Sequence, residues 1–470
     1  MLAVLSIPAK GQTPDVSSPA LQSLQPGVIV SKVTCAAKPD QSYALYPPRS
    51  YTANRRWPIA YVFEPAARGM VPTEIMKAAA EQYGYIIATS NNSRNGPWKP
   101  EADAAAAMWE DTHARLSLDD RQIYAAGFSG GARVASRVTQ MCKCINGVFL
   151  NGAGFALDSG PSRDLVFPVF LTAGMIDFNY SEQVRLEGQL ASLGFPHFLR
   201  RFDGAHQWAP AEIWPEAFAW MNLMAMKEKR LVRDDAFIAV EFERFTSQAQ
   251  TIEKSGNPYF AAQAYRQVAA AFDGLISVDS LQERASALEK DPAYGTAQKR
   301  EREDLALQSS LESDVLKVTA GLREQGGDSA QLRQQASQLI EDLRRRAERE
   351  RKEEKKRVLE RARRSVFAAM IETGEPLIEE NNLPLAEIYL ELAVEARPEI
   401  PWPHLTLARC LLKMGRKKDA LQSLQRAKDA GLKPQELADL ETQIPEFAAF
   451  ASYPGFQKLV EGLQPSTETR

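Results

Sequence analysis

No stretch of the chain approaches the ~20 consecutive apolar residues that a membrane-spanning helix needs, so no membrane span is expected. Charge of one sign is also missing: 57 basic against 60 acidic residues leave a formal net charge of −3. That balance gives no global attraction toward nucleic acid or an anionic bilayer. Cysteine is scarce, with only Cys35, Cys142, Cys144 and Cys410, too few for a disulfide framework. Cys142 and Cys144 have one residue between them, whereas zinc-binding pairs keep two to four, and no second Cys/His pair accompanies them. No metal site is therefore expected, and the chemistry outlined below calls for no organic cofactor. One disulfide from Cys35 to either Cys142 or Cys144 is compatible with an exported protein.

Glycine and proline are absent between Gly327 and Gly374, which excludes tight turns there and favours long helices. Within that gap Glu348 to Arg357 are ten consecutive charged residues. Pairs such as Glu348/Lys352 and Glu353/Arg357 stand four apart and support a solvated helix rather than a nucleic-acid patch. A coiled-coil arm over 330–365 competes, but its apolar residues (Leu332, Ala336, Leu339, Leu343) stop before the charged run.

Residues 27–228 have a different character. Short β-rich runs alternate with helical stretches, which implies an α/β sheet that is mostly parallel. Strands are expected near 28–33, 42–46, 58–63, 85–90, 122–128, 146–151, 169–173 and 197–202, the first two as an antiparallel edge hairpin. Helices are expected at 72–82, 101–116, 130–141, 181–193 and 210–228. Residues 229–366 read as a charged helical region, with Ala249, Ile252, Gly256, Ala261, Tyr265 and Val268 marking a degenerate repeat near 242–275. Residues 367–465 read as helical repeats. Gly374, Leu377, Ala386, Leu390 and Ala393 are echoed 34 residues on by Ala408, Leu411, Ala420, Leu424 and Ala427. This pattern resembles the tetratricopeptide helix–turn–helix unit. In such units small residues let antiparallel helices approach, and stacked neighbours bury the seam. The resemblance implies a docking surface for a protein partner, or self-association.

The first residues, Met1 to Ala9, are short, apolar and followed by a polar segment. The stretch 1–26 is read as the remnant of a secretory signal, and export to the periplasm or the exterior is the expectation.

The segment with most chemical content is Gly127-Phe128-Ser129-Gly130-Gly131, where a strand runs directly into a helix. A serine on such a turn is lifted out of the sheet, and glycines on either side are needed where side chains would collide with it. The free N–H groups opening the helix favour developing negative charge, which nominates Gly130 as an oxyanion donor. A serine hydroxyl needs a base. Of His113, His197, His206 and His404, only His206 follows the last strand in a glycine-containing loop. The acid is expected between serine and histidine. Asp177, after the strand ending near Ala173, fits best, and Asp203 is the rival.

These motifs, with Gly174-x-x-Asp177 and Gly204-Ala205-His206-Gln207-Trp208, resemble the polyhydroxybutyrate-depolymerase and feruloyl-esterase-like branch of the α/β-hydrolases. The resemblance covers less than half of the chain. It implies an α/β-hydrolase sandwich followed by an all-α repeat region, and ester hydrolysis through an acyl-enzyme. One departure concerns the oxyanion hole. Where many esterases carry His-Gly after the third strand, this chain has Phe63-Glu64-Pro65-Ala66. Pro65 has no N–H, so the second donor is expected to be the backbone of Glu64 or Ala66. Asn92, Arg94 and Trp98, in the loop after the strand near 85–90, and Trp208 beside His206 are candidate substrate contacts. A serine peptidase using the same residues, and a scaffold whose hydrolase domain is inert, are the competing readings.

Overall fold

The computed structural model describes residues 25–156, 158–324, 330–433 and 444–461. They divide into two compact units, the first ending at Glu301 and the second beginning at Arg302.

The first unit is built on one eight-stranded sheet. Its strands are β1 (Val30–Thr34), β2 (Ser42–Tyr46), β3 (Trp57–Phe63), β4 (Ile86–Ser90), β5 (Leu118–Phe128), β6 (Val148–Asn151), β7 (Val169–Gly174) and β8 (His197–Phe202). Their order is β1-β2-β4-β3-β5-β6-β7-β8. Both pairs made by β2 are antiparallel, and all others from β4 to β8 are parallel. This is the α/β-hydrolase arrangement. Every residue of β3, β4, β6 and β7 is buried, which explains their unbroken apolar character: helices cover both faces.

Those helices are α1 (Met70–Tyr83), α2 (Trp98–Arg115), α3 (Gly130–Cys142), α4 (Tyr180–Leu193) and α5 (Trp214–Lys227). The chain then continues through α6 (Asp235–Lys254), α7 (Pro258–Phe272) and α8 (Asp279–Glu289) without leaving the core. Phe245 of α6 is fully buried, its ring 5.7 Å from Phe198 of β8 and 5.5 Å from Phe272 of α7. The first compact unit thus runs beyond residue 228, because β8 and α5 present aromatic surface that only these helices cover. The turn between α6 and α7 is written locally. Gly256 takes a left-handed φ of 85°, and Asn257 caps α7 by accepting from the Tyr259 and Phe260 N–H groups. Ala249, Ala261, Tyr265 and Val268, four of the residues that mark the degenerate repeat, are buried on this hairpin.

The second unit is helical among its described residues. α9 (Pro292–Glu324) reaches into it, followed by α10 (Ala330–Arg349), α11 (Glu353–Glu379), α12 (Leu383–Ala396), α13 (Pro401–Lys413), α14 (Lys417–Asp429), α15 (Pro445–Phe450) and α16 (Pro454–Glu461). A Cβ on Gly374 would meet Leu390 at 3.0 Å, so this glycine sets how closely α11 and α12 approach. Asn381 and Gly415, 34 residues apart, both turn the chain with left-handed φ, 59° and 76°. No helix among the described residues is long and apolar enough to cross a membrane.

Cysteine pairing differs from expectation. Cys142 is bonded to Cys144, whose α-carbons lie 5.1 Å apart, while Cys35 and Cys410 are buried free thiols. Cys35 follows the edge strand β1, whereas Cys142 ends the helix after β5, four strands across the sheet.

Candidate active site

Ser129 sits between the last residue of β5 and the first of α3, with φ 54° and ψ −123°. Such a conformation is costly for a residue with a side chain and persists only where its surroundings impose it. Here they do. The Ser129 N–H donates to the Asn151 carbonyl at 2.9 Å, and the Asn151 amide donates back to the Gly127 carbonyl at 3.3 Å. A Cβ on Gly127 would lie 2.0 Å from the Gly131 carbonyl oxygen, and one on Gly131 2.0 Å from the Phe63 carbonyl oxygen. Only glycine fits at either place, so the turn can press against β3 and raise the serine above the sheet.

Two loops at the same sheet edge bring the partners. His206 Nε2 lies 2.8 Å from Ser129 Oγ, and its Nδ1 lies 2.9 Å from Asp177 Oδ1. Asp177 rather than Asp203 faces the imidazole. Asp177 is 1% exposed, and its Oδ1 also accepts from the Asn179 N–H at 2.8 Å. Asn179 in turn donates its side-chain amide to the Gly152 carbonyl, tying the acid's loop to the loop after β6. A second clamp holds that loop from the other side. Arg133, in the first turns of α3, donates to the Phe155 carbonyl and forks onto Glu182 at 2.9 Å, while Glu182 accepts from the Gly154 N–H. The imidazole is flanked by Phe178 at 4.1 Å and Phe128 at 4.6 Å between ring centres. A hydroxyl bonded to an imidazole that is itself held by a buried carboxylate can surrender its proton as it attacks an electrophile.

The remaining histidines are occupied elsewhere. His113 Nδ1 faces the Trp109 carbonyl, His197 Nδ1 the Phe195 carbonyl, and His404 Nε2 the Pro398 carbonyl.

The oxyanion segment departs from expectation at Ala66. Glu64 is fully buried, and its carboxylate accepts from the Ala66 N–H at 2.7 Å, the Arg68 N–H at 3.0 Å and the Arg68 guanidinium. The Ala67 N–H donates to the Glu64 carbonyl at 3.2 Å. The Ala66 N–H, expected as a donor to substrate, is thus already spent within the protein: a buried carboxylate attracts the nearest amides before any ligand arrives. Among the described residues the Gly130 N–H has no protein acceptor, as befits the first turn of a helix.

The candidate substrate contacts separate into different roles. Asn92 accepts from the Ser42 N–H and donates to the Asp40 carbonyl, so it ties its loop to the β1–β2 hairpin. Trp208 is 6% exposed and packs on Phe128 and Trp214, which makes it a core residue rather than the expected wall. Trp98 is half-buried, with the Arg137 guanidinium 4.5 Å from its ring centre. Arg94 is exposed, and its backbone bridges to Ala66.

The sequence reading overlooked Asn151, Asn179, Arg133 and Glu182, because each acts through chain segments distant in sequence. Asn95, in the same loop as Asn92, Arg94 and Trp98, donates its N–H to the Pro65 carbonyl at 2.8 Å.

Residues 377–444 match the family model described as tetratricopeptide repeat. No curated protein matches the chain. Among solved structures, it is similar to an esterase of Pyrobaculum calidifontis, at 14% identity and a TM-score of 0.35, covering 44% of this chain and 88% of that one. It is also similar to FphF, a fluorophosphonate-binding serine hydrolase of Staphylococcus aureus, at 13% identity and a TM-score of 0.36, covering 42% and 98%. A ferulic acid esterase aligns at 16% identity and a TM-score of 0.32, covering 40% and 94%.

Proposed function

We infer that the protein is a serine hydrolase of carboxylic esters, with Ser129 as nucleophile, His206 as general base and acid, and Asp177 as the group that fixes the imidazole. The observation that carries this reading is the unbroken line of hydrogen bonds, 2.9 Å and 2.8 Å long, from Asp177 through His206 to Ser129 on a strained strand-to-helix turn.

In the proposed cycle His206 Nε2 takes the Ser129 proton as Oγ attacks the ester carbonyl. The carbonyl oxygen gathers the charge and is met by the Gly130 N–H. As the tetrahedral intermediate collapses, the C–O bond to the alcohol breaks and His206 protonates that alcohol. A water then gives its proton to His206 and attacks the acyl-serine. Collapse returns the proton to Ser129 and releases the acid. Asp177 stays ionised throughout and favours the imidazolium.

The phenyl rings of Phe128 and Phe178 beside His206 favour an ester with an apolar or aromatic portion. Hydroxyalkanoate and feruloyl esters are the substrate classes to try first. The repeats are proposed to dock a protein partner, a second subunit or a polymeric substrate. Export is proposed too, and the Cys142–Cys144 bridge supports it, since oxidising compartments preserve such bonds.

A fluorophosphonate probe tests the assignment. Folded protein should be labelled, and Ser129→Ala should abolish both labelling and the hydrolysis of p-nitrophenyl, hydroxyalkanoate and feruloyl esters. Unlabelled wild-type protein that is folded would refute the enzyme reading. Peptide cleavage in place of ester cleavage would shift it to a peptidase.

A further inference from the structure

An oxyanion hole built from a single N–H is incomplete, since a tetrahedral intermediate is held by at least two donors in the enzymes where such sites are understood. The segment that ordinarily supplies the second one is closed from Pro65 to Arg68 in this protein. Pro65 has no N–H, and the amides of Ala66, Ala67 and Arg68 all donate to Glu64. The Ser129 N–H is engaged with Asn151.

One polar side chain lies against the first glycine of the helix, beside this segment. Asn95 is exposed, and its backbone is pinned to Pro65, next to the closed segment. Its side chain lies over the elbow. A Cβ placed on Gly130 would come within 1.8 Å of Asn95 Oδ1, 2.9 Å of its Cγ and 3.6 Å of its Nδ2. The lack of a side chain at residue 130 is therefore what admits this amide beside the helix-opening N–H. Among the described residues the Asn95 side-chain amide makes no hydrogen bond. The two ends of an amide exchange by rotation about its last torsion, so its NH2 can turn to whichever side carries negative charge.

We propose that the Asn95 side-chain amide is the second oxyanion donor, acting with the Gly130 N–H on the oxygen of the tetrahedral intermediate. The assignment rests on the serine-hydrolase reading and adds a residue to it. It also accounts for Gly130 itself. The first glycine after the nucleophile is needed as a space for Asn95, separately from the packing role of Gly131.

The test uses the full chain and the rate of phosphonylation by a fluorophosphonate, whose P=O oxygen occupies the oxyanion position whatever the natural substrate. Asn95→Ala and Asn95→Asp should each slow labelling by about 10²-fold, the usual cost of one lost donor. The aspartate variant is the sharper of the two, since it keeps the shape but offers an acceptor in place of a donor. The thermal midpoint should hold in both, because the bond from residue 95 to Pro65 is made by backbone. Gly130→Ala should slow wild-type labelling by displacing Asn95, yet add little in the Asn95→Ala background. Where a p-nitrophenyl ester is turned over, kcat should fall with KM nearly unchanged.

Labelling within about threefold of wild type in both Asn95 variants, with Ser129→Ala unlabelled, would overturn the Asn95 assignment and leave the nucleophile standing. Fully additive losses in the Gly130/Asn95 pair would overturn it as well. Labelling that survives Ser129→Ala would instead remove the serine reading and this assignment together.

Discussion

Asp177 directs one oxygen, Oδ1, to His206 and to the Asn179 N–H, while Oδ2 is buried without a hydrogen-bond partner among the described residues. A buried carboxylate left partly unsatisfied is expensive, and the imidazolium formed at His206 in the proposed cycle repays that cost. Asp177→Asn keeps the shape but offers His206 an amide, which favours the wrong tautomer. Its kcat on a p-nitrophenyl ester should drop by on the order of 10⁴, with the fold intact by circular dichroism. The cysteines give a second prediction at this scale. Burial pushes the Cys35 thiol up to about 11 and the Cys410 thiol up to about 12, with neighbouring carboxylates adding to both. Neither should react readily with a thiol reagent at pH 8 in the folded protein. Unfolding without reductant should expose two thiols, and reduction should raise the count to four. A count of four without reductant would contradict the Cys142–Cys144 bond.

At the scale of elements, the turn between β5 and α3 works because Gly127 and Gly131 let three backbone segments touch. Gly131→Ala would place a methyl 2.0 Å from the Phe63 carbonyl oxygen, against backbone that has no rotamer to change. Overpacking of this kind costs about 1–3 kcal/mol or more. The variant should therefore melt earlier in a calorimetric scan and lose fluorophosphonate labelling, because Ser129 moves when α3 is pushed from β3. The residues of this turn were legible in the sequence, since a local motif and its flanking strand and helix are contiguous. Positions of the strands were legible for the same reason. Ser42–Tyr46 and His197–Phe202 fall where alternation and turn residues put them. β5 is the exception: it begins at Leu118, ahead of the expected residue 122, because the polar stretch Asp119-Asp120-Arg121 is held as strand by its place in the sheet.

For the molecule as a whole, the first compact unit ends at Glu301 rather than near Arg230. Sequence character changes near Arg230, from mixed α/β to charged helix, yet the aromatic core continues through Phe245 and Phe272. Full burial of a side chain such as Phe245 contributes ~1.5–3 kcal/mol, and several are buried on these helices. A chain stopped at residue 230 should expose Phe198 and its neighbours, aggregate, and fail to label. A chain stopped at residue 301, where the first compact unit ends, should stay monodisperse in size-exclusion chromatography and keep its labelling. Equal behaviour of the two chains would mean that α6 to α8 are dispensable to the fold.

The amino-acid sequence alone determined the two architectures, the 34-residue repeat and which serine, histidine and aspartate meet at the sheet edge. Each of those leaves a mark within a few neighbouring residues: a glycine pattern, an apolar period, or a polar residue at a strand end. Tertiary structure decided the rest. It spent the Ala66 amide on Glu64, buried Trp208, paired Cys142 with Cys144, and set Asn95 over Gly130. Which polar group remains free, and which is consumed, depends on neighbours brought from far along the chain, and no local pattern records them.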